Sequence, residues 1–413
     1  MDQRWSARDQ HRATVLALLH RGHMLTRSEI AERLGLTRST VSELLGDLLA
    51  TGVITVTESR APGGRGRPAE VLGIHPGAVR YMGFEFSHTG VTICLANSAA
   101  DVVASGTSTY PSGSGWEARV TLARRLIDEL TVGGVHLGLL AGIGIGLPGP
   151  NSASWDGFAT SVGVTEPFQL VRARIKEFFA DEFACRVIVD HHIRFAALYE
   201  ATSSGEDDRS IVYLRLSTGV GGAVLNAGTA IRGAHRLAGE IGHMTVDDSP
   251  DALPCRCGRA GCLETVASKG AVSERWQRII GDDEVLNTPE SLAHLTSAVE
   301  REDPRALALV NDVAVTVGRA LGLAAVLADP EEIVLAGEVA PLLTPALAAL
   351  NDAVARYCLT GDELQVRIAD TADEQAARGA IVALRFTDSL PEQFAPARAI
   401  SLVPLTFGGL SVR

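Results

Sequence analysis

The sequence lacks the features that would place the chain in a membrane or outside the cell. Residues 1–12 are charged and contain no apolar stretch of the kind found in secretory signals. No segment approaches the roughly 18 uninterrupted apolar residues that a membrane-spanning helix requires. The six cysteines do not suggest a disulfide framework, because three of them crowd into residues 255–262. We therefore expect a cytoplasmic protein that contacts no membrane.

The chain also lacks the positive charge of a protein that coats nucleic acid along its whole length, since its formal net charge is -12. This charge is unevenly distributed. Residues 1–76 contain ten Arg and eight Asp plus Glu, which gives +2 and leaves -14 for the remainder. Local basicity matters more for DNA binding than the charge of the whole chain. Only the N-terminal segment is therefore a candidate for contact with nucleic acid.

Length and composition indicate a folded protein of several domains. The 413 residues are 46% hydrophobic and 21% charged, as in globular proteins, and they exceed the size of one ordinary core. From Tyr81 onward, strand-like and helix-like segments alternate. This alternation predicts an α/β architecture for the larger part of the chain.

The first 76 residues have the pattern of a winged helix-turn-helix. A first helix has one apolar stripe, a second begins at the capping box formed by Thr26 and Glu29, and a third begins near Thr37 after a short turn. Two strand-like segments, 53–57 and 71–74, flank a loop rich in glycine and arginine. The pattern predicts three helices followed by a β-hairpin wing.

A third helix placed in the major groove of DNA would present polar side chains, and the wing would add two arginines that can enter a minor groove. The predicted DNA contacts are Thr37, Arg38, Ser39, Thr40, Ser42, Arg65 and Arg67. A double-stranded operator is the expected partner. The alternative is a helical module that binds another protein.

A second cluster combines soft and borderline metal ligands. His243 is followed by Cys255, Cys257 and Cys262, with Gly258 and Gly261 between the last two ligands. A C-x-C-x4-C segment plus one histidine fits a closed tetrahedral Cys3His zinc site, which is structural because it leaves no open position. The alternative is three reduced thiols beside an unrelated histidine.

These motifs resemble those of a known family. The segment 238–243 and the cysteine segment 255–264 are similar to the motifs of the ROK family of repressors and sugar kinases. The resemblance extends from about Tyr81 to Phe386. It includes the segments 144–150, 217–222 and 332–337. An N-terminal winged helix is typical of the repressor members, which include regulators of xylose and N-acetylglucosamine use.

The resemblance implies an actin-like, ribonuclease H-like fold with two α/β lobes around a cleft. In that family the zinc orders a loop beside the sugar site, so His243 would lie near a sugar while Glu240 and Glu264 would accept hydrogen bonds from its hydroxyls. The implied domains are a winged helix-turn-helix over 1–76, a sugar-kinase-like domain over 77–390 (lobe one about 77–192 plus 374–390, lobe two about 193–373) and a tail over 391–413.

The sequence departs from the family's kinases where phosphate would bind and react. The first phosphate loop reads D-x-G-G-T-K in the kinases, whereas the equivalent residues here, 85–90, place Ser87 and His88 at the two glycines and Gly90 at the lysine. The catalytic aspartate corresponds to His192, and a sugar-binding asparagine corresponds to His191. A second phosphate loop, 217–223, is changed least. Phosphoryl transfer needs a base and a phosphate cradle, so we expect no enzyme activity; an ATP-dependent sugar kinase is the alternative.

Two hypotheses remain for the altered ligand site. In the first, Glu240, His243 and Glu264 hold part of a sugar while three further donors accommodate a phosphorylated or acidic group. Those donors are His191, His192 and Arg194. In the second, the pocket is vestigial and the domain only brings DNA-binding heads together. In both, two symmetric heads that read half-sites imply a homodimer or a dimer of dimers.

Overall fold

The computed structural model describes residues 11, 14–16, 18–19, 24–50, 53–60, 69–97, 100–132, 139–149, 168–183, 185–203, 208–281, 288–359, 361–370 and 374–386. These residues fall into two compact units. The first unit comprises the described residues within 1–147, 171–189 and 380–413. The second comprises those within 148–170 and 190–379.

The N-terminal head forms as its pattern predicts. Helical residues at 14–16 and 18–19 precede β1 (Leu25–Thr26), α1 (Arg27–Leu34) and α2 (Arg38–Ala50). The hydroxyl of Thr26 accepts the backbone N–H of Glu29, whose carboxylate accepts the backbone N–H of Thr26 at 2.6 Å. The predicted capping box is therefore present. The wing strands β2 (Ile54–Arg60) and β3 (Ala69–Ile74) pair antiparallel, and β1 adds a third strand beside β3.

Each of the two larger sheets has five strands. The first contains β4 (Val79–Phe86), β5 (Gly90–Asn97), β6 (Val102–Thr109), β7 (Leu139–Leu147) and β8 (Arg186–His191). The second contains β9 (Ile211–Leu216), β10 (Val220–Asn226), β11 (Thr229–Ala230), β12 (Glu332–Ala336) and β13 (Val366–Ile368).

The two sheets have the same topology. Their strand orders are β6-β5-β4-β7-β8 and β11-β10-β9-β12-β13. In each, the first three strands form an antiparallel meander and the fourth lies parallel to the first. The tight turns after β4 and after β9 therefore occupy equivalent positions. These two turns, 87–89 and 217–219, lie within the segments 85–90 and 217–223 that the sequence matched to phosphate loops.

Helices accompany both sheets. In order they are α3 (Trp116–Val132), α4 (Phe168–Phe183), α5 (His192–Thr202), α6 (Glu264–Ala267), α7 (Lys269–Ile280), α8 (Thr288–Glu300), α9 (Pro304–Ala328), α10 (Leu347–Tyr357) and α11 (Gln375–Phe386). Short 3₁₀ helices span Pro76–Ala78, Ile241–His243, Ala340–Ala346 and Gly361–Glu363.

Helix α9 is the one helix among the described residues that is long and apolar enough to cross a membrane. Most of its apolar stretch is buried in the core of the second unit, where it packs beside α10 and beneath β9 and β12. Gly318 and Gly322 allow this close approach, because a Cβ atom at either position would lie less than 3 Å from atoms of α10. A buried core helix of a globular domain has the same length and composition.

Candidate functional site

Helix α2 presents the predicted DNA-contacting residues on its exposed side. Thr37, Arg38, Ser39, Thr40 and Ser42 are all exposed. The Thr37 hydroxyl lies 2.9 Å from the hydroxyls of Ser39 and Thr40, and it accepts the Thr40 backbone N–H at 3.3 Å. Thr37 thus caps the helix while the polar side chains stay together at its N-terminal end. The two wing residues Arg65 and Arg67 lie outside the described residues.

The opposite side of α2 fixes this orientation. Val41, Leu44, Leu45 and Leu48 are all at most 2% exposed. Burial of these four side chains turns the polar stripe away from the core of the head. A helix with one apolar and one polar side is what major-groove reading by a helix-turn-helix requires.

The second unit contains a compact group of metal-ligating side chains. His243, Cys255, Cys257 and Cys262 bring one ligand atom each to within 4.8 Å of one another. Cys257 Sγ lies 3.5 Å from Cys262 Sγ, and Cys255 Sγ lies 3.6 Å from His243 Nδ1. Neighbouring sulfur atoms in a tetrahedral site with zinc–sulfur bonds of about 2.3 Å lie about 3.8 Å apart. The four donors can therefore hold a metal ion.

The backbone of this loop is shaped to bring the donors together. Gly261 has φ 67° and lies so close to the carbonyl oxygen of Asp247 that no side chain would fit there. Burial, and then the neighbouring thiols, raise the pKa of Cys262 to about 12. Three thiolates at such a site need a cation to offset their charge, and metal binding supplies one.

Glu264 lies at the base of the metal loop and is 7% exposed. Both of its carboxylate oxygens accept hydrogen bonds from Arg256, at 2.6 and 2.7 Å, and one also accepts the backbone N–H of Val220 at 3.0 Å. Gly219 permits this arrangement, since a Cβ atom there would collide with the Arg256 guanidinium. The carboxylate that the family resemblance assigns to sugar binding is thus already held by an arginine and by the turn after β9.

Glu240 is partly buried just before the 3₁₀ helix that contains His243. Burial raises the pKa of its carboxyl to about 7; Arg194 opposes this shift and Glu264 adds to it. Near neutral pH the group can therefore both donate and accept hydrogen bonds, which suits contact with a sugar hydroxyl.

The segment matched to the catalytic motif is largely occupied by internal contacts. Arg194 is 2% exposed; it donates to Asp190 Oδ1 at 2.8 Å and to the carbonyl oxygen of Arg236 at 2.6 Å. Arg232 binds the other oxygen of Asp190 at 2.6 Å. Burial alone would raise the pKa of Asp190, but the two arginines hold it below its ordinary value. Arg194 therefore neutralises a buried carboxylate and anchors the loop that leads to Glu240.

The two histidines of this segment lie side by side. Their rings meet edge to face with centroids 5.1 Å apart. His191 is 4% exposed at the end of β8, whereas His192, the first residue of α5, is partly exposed. Of the two, His192 is the more accessible to a ligand, and it stands at the position where the family's kinases have their catalytic aspartate.

The turn after β4 is held together by its own side chains and by a buried arginine. The Ser87 hydroxyl donates to the carbonyl oxygen of Gly90 at 3.1 Å, and the Ser87 carbonyl accepts from the Tyr110 hydroxyl at 2.8 Å and from Arg119 at 3.3 Å. Arg119 is 1% exposed and lies against the rings of Tyr110 and Trp116, each centroid 4.8 Å away. At this turn the Ser87 carbonyl oxygen is thus bound by buried donors, and the Thr89 N–H donates to the Ser87 hydroxyl at 3.3 Å.

The structure reveals partners that the sequence did not single out. Arg256 lies inside the predicted C-R-C metal segment, so its position was visible but its contact with Glu264 was not. Asp190 and Arg194 stand four residues apart at a strand-to-helix junction, a spacing typical of ion pairs. Arg119 gave no signal, because an arginine within an amphipathic helix is normally exposed.

The comparisons with known proteins agree with this architecture. Residues 82–385 match the model of the ROK family, and residues 9–64 match that of the MarR family. The DNA-binding transcriptional dual regulator NagC of Escherichia coli is 23% identical over 90% of this chain and 91% of its own length. A glucokinase of Halalkalibacterium halodurans is 29% identical over 72% of this chain and 93% of its own length.

A similar fold is seen in a crystal structure described as a ROK family transcriptional regulator, homolog of the E. coli MLC protein. It superimposes with a TM-score of 0.61 at 19% identity, covering 92% of this chain and 96% of the other. At this identity the match shows the shared fold, from the N-terminal head through the two five-stranded sheets.

Proposed function

Because this chain belongs to the ROK family, we propose that it is a sequence-specific DNA-binding transcriptional regulator that represses carbohydrate-related genes and transfers no phosphate. The observation that carries the proposal is the exposed polar stripe of α2, set on a capped helix whose other side is buried. The family-wide kinase architecture follows this head in the same chain. NagC, which aligns with nine-tenths of the chain, is by name a regulator of this kind.

The order of the segments suggests a separate function for each domain. Residues 1–76 read a double-stranded operator, with Arg38 as the strongest candidate for a base or phosphate contact and the wing arginines as further contacts. Residues 77–390 bring heads together as a homodimer or a dimer of dimers, so that two of them reach successive half-sites. The protein works in the cytoplasm.

Three features of the described residues support the absence of phosphoryl transfer. In the turn after β4, Arg119 binds the carbonyl oxygen of Ser87. A histidine stands at the position matched to the catalytic aspartate, and Arg194 is paired with Asp190. A misplaced base alone costs on the order of 10²–10⁴ in rate. Purified protein supplied with ATP, magnesium and a panel of hexoses and amino sugars should show no turnover. Sugar-dependent transfer that disappears in His192→Ala would establish the kinase alternative.

The metal is a structural zinc ion. His243 and the three cysteines form a closed set of four ligands, so the ion stabilises the loop and offers no open position for chemistry. Its contribution is to hold the segment from which Glu264 projects.

The effector site has fewer available residues than the motifs suggest. Glu240, His243 and Glu264 remain candidates for a sugar, with His192 beside them in the family's arrangement, but the guanidinium of Arg194 is already paired. This pairing weakens the case for a phosphorylated effector. An uncharged sugar is then the first candidate effector, and the second candidate function is a domain that only dimerises the heads, with no ligand acting.

Selection of bound genomic fragments, with and without candidate sugars, tests the proposal. The wild-type protein should enrich a defined operator, and Arg38→Ala should weaken binding to it by about 1–3 kcal/mol. Arg301→Ala, which removes an exposed arginine from the second unit, is the charge-matched control and should bind normally. Enrichment of no common sequence, or equal binding by Arg38→Ala, would contradict the proposal. An operator whose enrichment no sugar changes would favour the ligand-independent form.

A further inference from the structure

The turn after β9 receives an acidic side chain from a distant part of the second unit. Glu338 follows β12, which lies parallel to β9, so Glu338 and Ser217 both stand at the carboxyl ends of neighbouring parallel strands. Ligands of open α/β sheets bind at this edge. The Glu338 carboxylate contacts the hydroxyl of Ser217 and lies 3.1 Å from the ammonium of Lys269.

The surroundings of this carboxylate are those of an anion site. Lys269 is the first residue of α7, and its backbone N–H donates to the Ser217 carbonyl at 2.7 Å, which draws the start of the helix onto the turn. Arg215, on the last part of β9, adds a second positive charge that favours the ionised form of Glu338. A hydroxyl and an ammonium thus contact one carboxylate, and the charge of a nearby guanidinium adds to their effect.

We infer that Glu338 is an internal substitute for phosphate: its carboxylate occupies the anion site of the turn after β9 and keeps nucleotide polyphosphates out. A carboxylate and a phosphate group compete for the same donors and repel each other. The glycine-containing backbone at 217–222 is changed little from the family's phosphate loop, so this turn retains its ability to bind an anion. The inference rests on the proposed absence of phosphoryl transfer. It makes Glu338 one of the causes of that absence.

The charge state of Glu338 supports this role. Burial would raise the pKa of its carboxyl, but hydrogen bonds from Ser217 and Lys269 lower it below the ordinary value. Glu338 is therefore negative at neutral pH. Its side chain is 47% exposed, so a variant without it leaves a solvent-accessible opening and no sealed cavity.

Replacing Glu338 should open the site. The probes are inorganic pyrophosphate and Mg-ATP, titrated calorimetrically into the zinc-loaded full chain. Glu338→Ala should bind pyrophosphate about tenfold or more tightly than the wild type. The gain should be smaller in Glu338→Gln, which keeps the shape of the side chain, and absent in Glu338→Ala combined with Lys269→Ala. Binding of ATP in addition to pyrophosphate would show that the opened site accepts a nucleotide.

A charge-matched control separates this local effect from a change in net charge. Glu331→Ala removes a carboxylate at the other end of β12, where Glu331 is 58% exposed and 3.9 Å from Arg209. It should bind pyrophosphate no better than the wild type. Equal pyrophosphate binding by the wild type and Glu338→Ala, or a gain that survives the loss of Lys269, would overturn the inference.

Operator binding, measured on the same preparations, keeps the two proposals distinguishable. Folded Glu338→Ala should still bind the operator, since the substitution lies outside the head. A wild type that binds no operator would refute the regulatory proposal and leave the anion-site result standing. A Glu338→Ala protein that binds the operator but gains no affinity for either probe would refute the anion-site inference alone.

Discussion

The turns after β4 and after β9 occupy equivalent positions in two sheets of identical topology, yet they have been closed in opposite ways. At the first turn, donors from Tyr110 and Arg119 converge on the carbonyl oxygen of Ser87. At the second, carboxylates from Glu264 and Glu338 converge on a backbone N–H and a hydroxyl. At the first turn a carbonyl oxygen is therefore bound by buried donors, whereas at the second a backbone N–H and a hydroxyl are bound by acidic side chains of the same chain.

This difference separates two ways in which a turn of this fold can be occupied by groups of its own chain. A turn that binds phosphate must offer N–H and O–H donors. Where the sequence has Ser87 and His88 at the positions matched to the two glycines, the Ser87 N–H and hydroxyl both donate to the Gly90 carbonyl, so the turn is closed by its own contacts. Where the glycines remain, an internal acid suffices to block the site. The turn after β4 is closed by its backbone conformation, whereas the turn after β9 is closed by individual side chains.

Removal of the metal should have the largest effect, and it should affect the second turn alone. Glu264 is two residues from the ligand Cys262, and its carboxylate holds the Val220 N–H. Zinc in thousandfold excess over its dissociation constant stabilises the folded chain by about 4 kcal/mol. Chelation should lower the melting temperature and speed amide hydrogen exchange at Val220, while exchange at Tyr110, whose N–H donates to the Thr89 carbonyl of the first turn, should not change.

A matched pair of cysteine variants checks that the ligands cause this effect. Cys257→Ser should reproduce the effect of chelation, whereas Cys358→Ser, a partly buried cysteine outside the ligand group, should retain one zinc ion per chain. Metal analysis gives the zinc content directly. Folded, reductively purified protein that contains no zinc, or equal loosening of both turns, would contradict the assignment.

Loss of the buried arginine should have the next largest effect, confined to the first turn. Arg119→Ala removes hydrogen bonds to the Ser87 and Ser114 carbonyls together with stacking on two aromatic rings. Charged hydrogen bonds and cation–π contacts at a buried site imply a loss of about 3 kcal/mol in the free energy of unfolding. Urea denaturation of the zinc-loaded protein measures it.

Tyr110→Phe provides a graded comparison for Arg119→Ala. It deletes only the hydroxyl that donates to the Ser87 carbonyl, so it should cost about 1 kcal/mol. Neither variant should gain affinity for pyrophosphate, because neither adds donors to the turn. A gain in either would show that the first turn had also kept a phosphate site and would remove the contrast between the two turns.

The sequence predicted the local features of this molecule well. The capping box at Thr26, the buried stripe of α2 and the grouping of the four candidate metal ligands each depend on residues close together in the chain, where helical periodicity or ligand spacing limits the alternatives. The alternation of strands and helices, together with the family motifs, gave the two-lobed architecture. These features are set by short-range rules and by motif resemblance.

The contacts that decide the chemistry of the site could not be predicted in the same way. Lys269 and Glu338 are 69 residues apart, and Arg119 is 32 residues from Ser87. Such pairs meet only after the sheets have formed. Arg194 makes a contact of the same kind, since it donates to the carbonyl oxygen of Arg236, 42 residues away in the chain.

The smallest expected effect distinguishes the two turns by pH. Burial raises the pKa of Glu240, near the second turn, from 4.5 to about 7. The protonated form is favoured in the folded state, so its contribution to stability is complete below pH 4.5 and is lost as the pH rises through about 7. Between pH 6 and 8 this loss amounts to about 1 kcal/mol. Tyr110, whose pKa is raised to about 12 by burial, keeps its proton over the same range, so its hydrogen bond to the first turn is unchanged.

Glu240→Gln isolates this contribution, because glutamine mimics the protonated carboxyl in shape and hydrogen bonding. The free energy of unfolding of zinc-saturated protein, measured in urea at pH 6 and pH 8, should fall less for Glu240→Gln than for the wild type. Glu300→Gln, at the exposed end of α8, is the control: it shows how the loss of one exposed carboxylate alone changes the free energy of unfolding. A fall that is equal in all three proteins would place the neutral-pH titration elsewhere and leave Glu240 an ordinary ionised carboxylate. If the free energy of unfolding falls less in Glu240→Gln alone, the pH-sensitive group lies on the loop that Arg194 anchors. This loop is near the turn after β9, not the turn after β4.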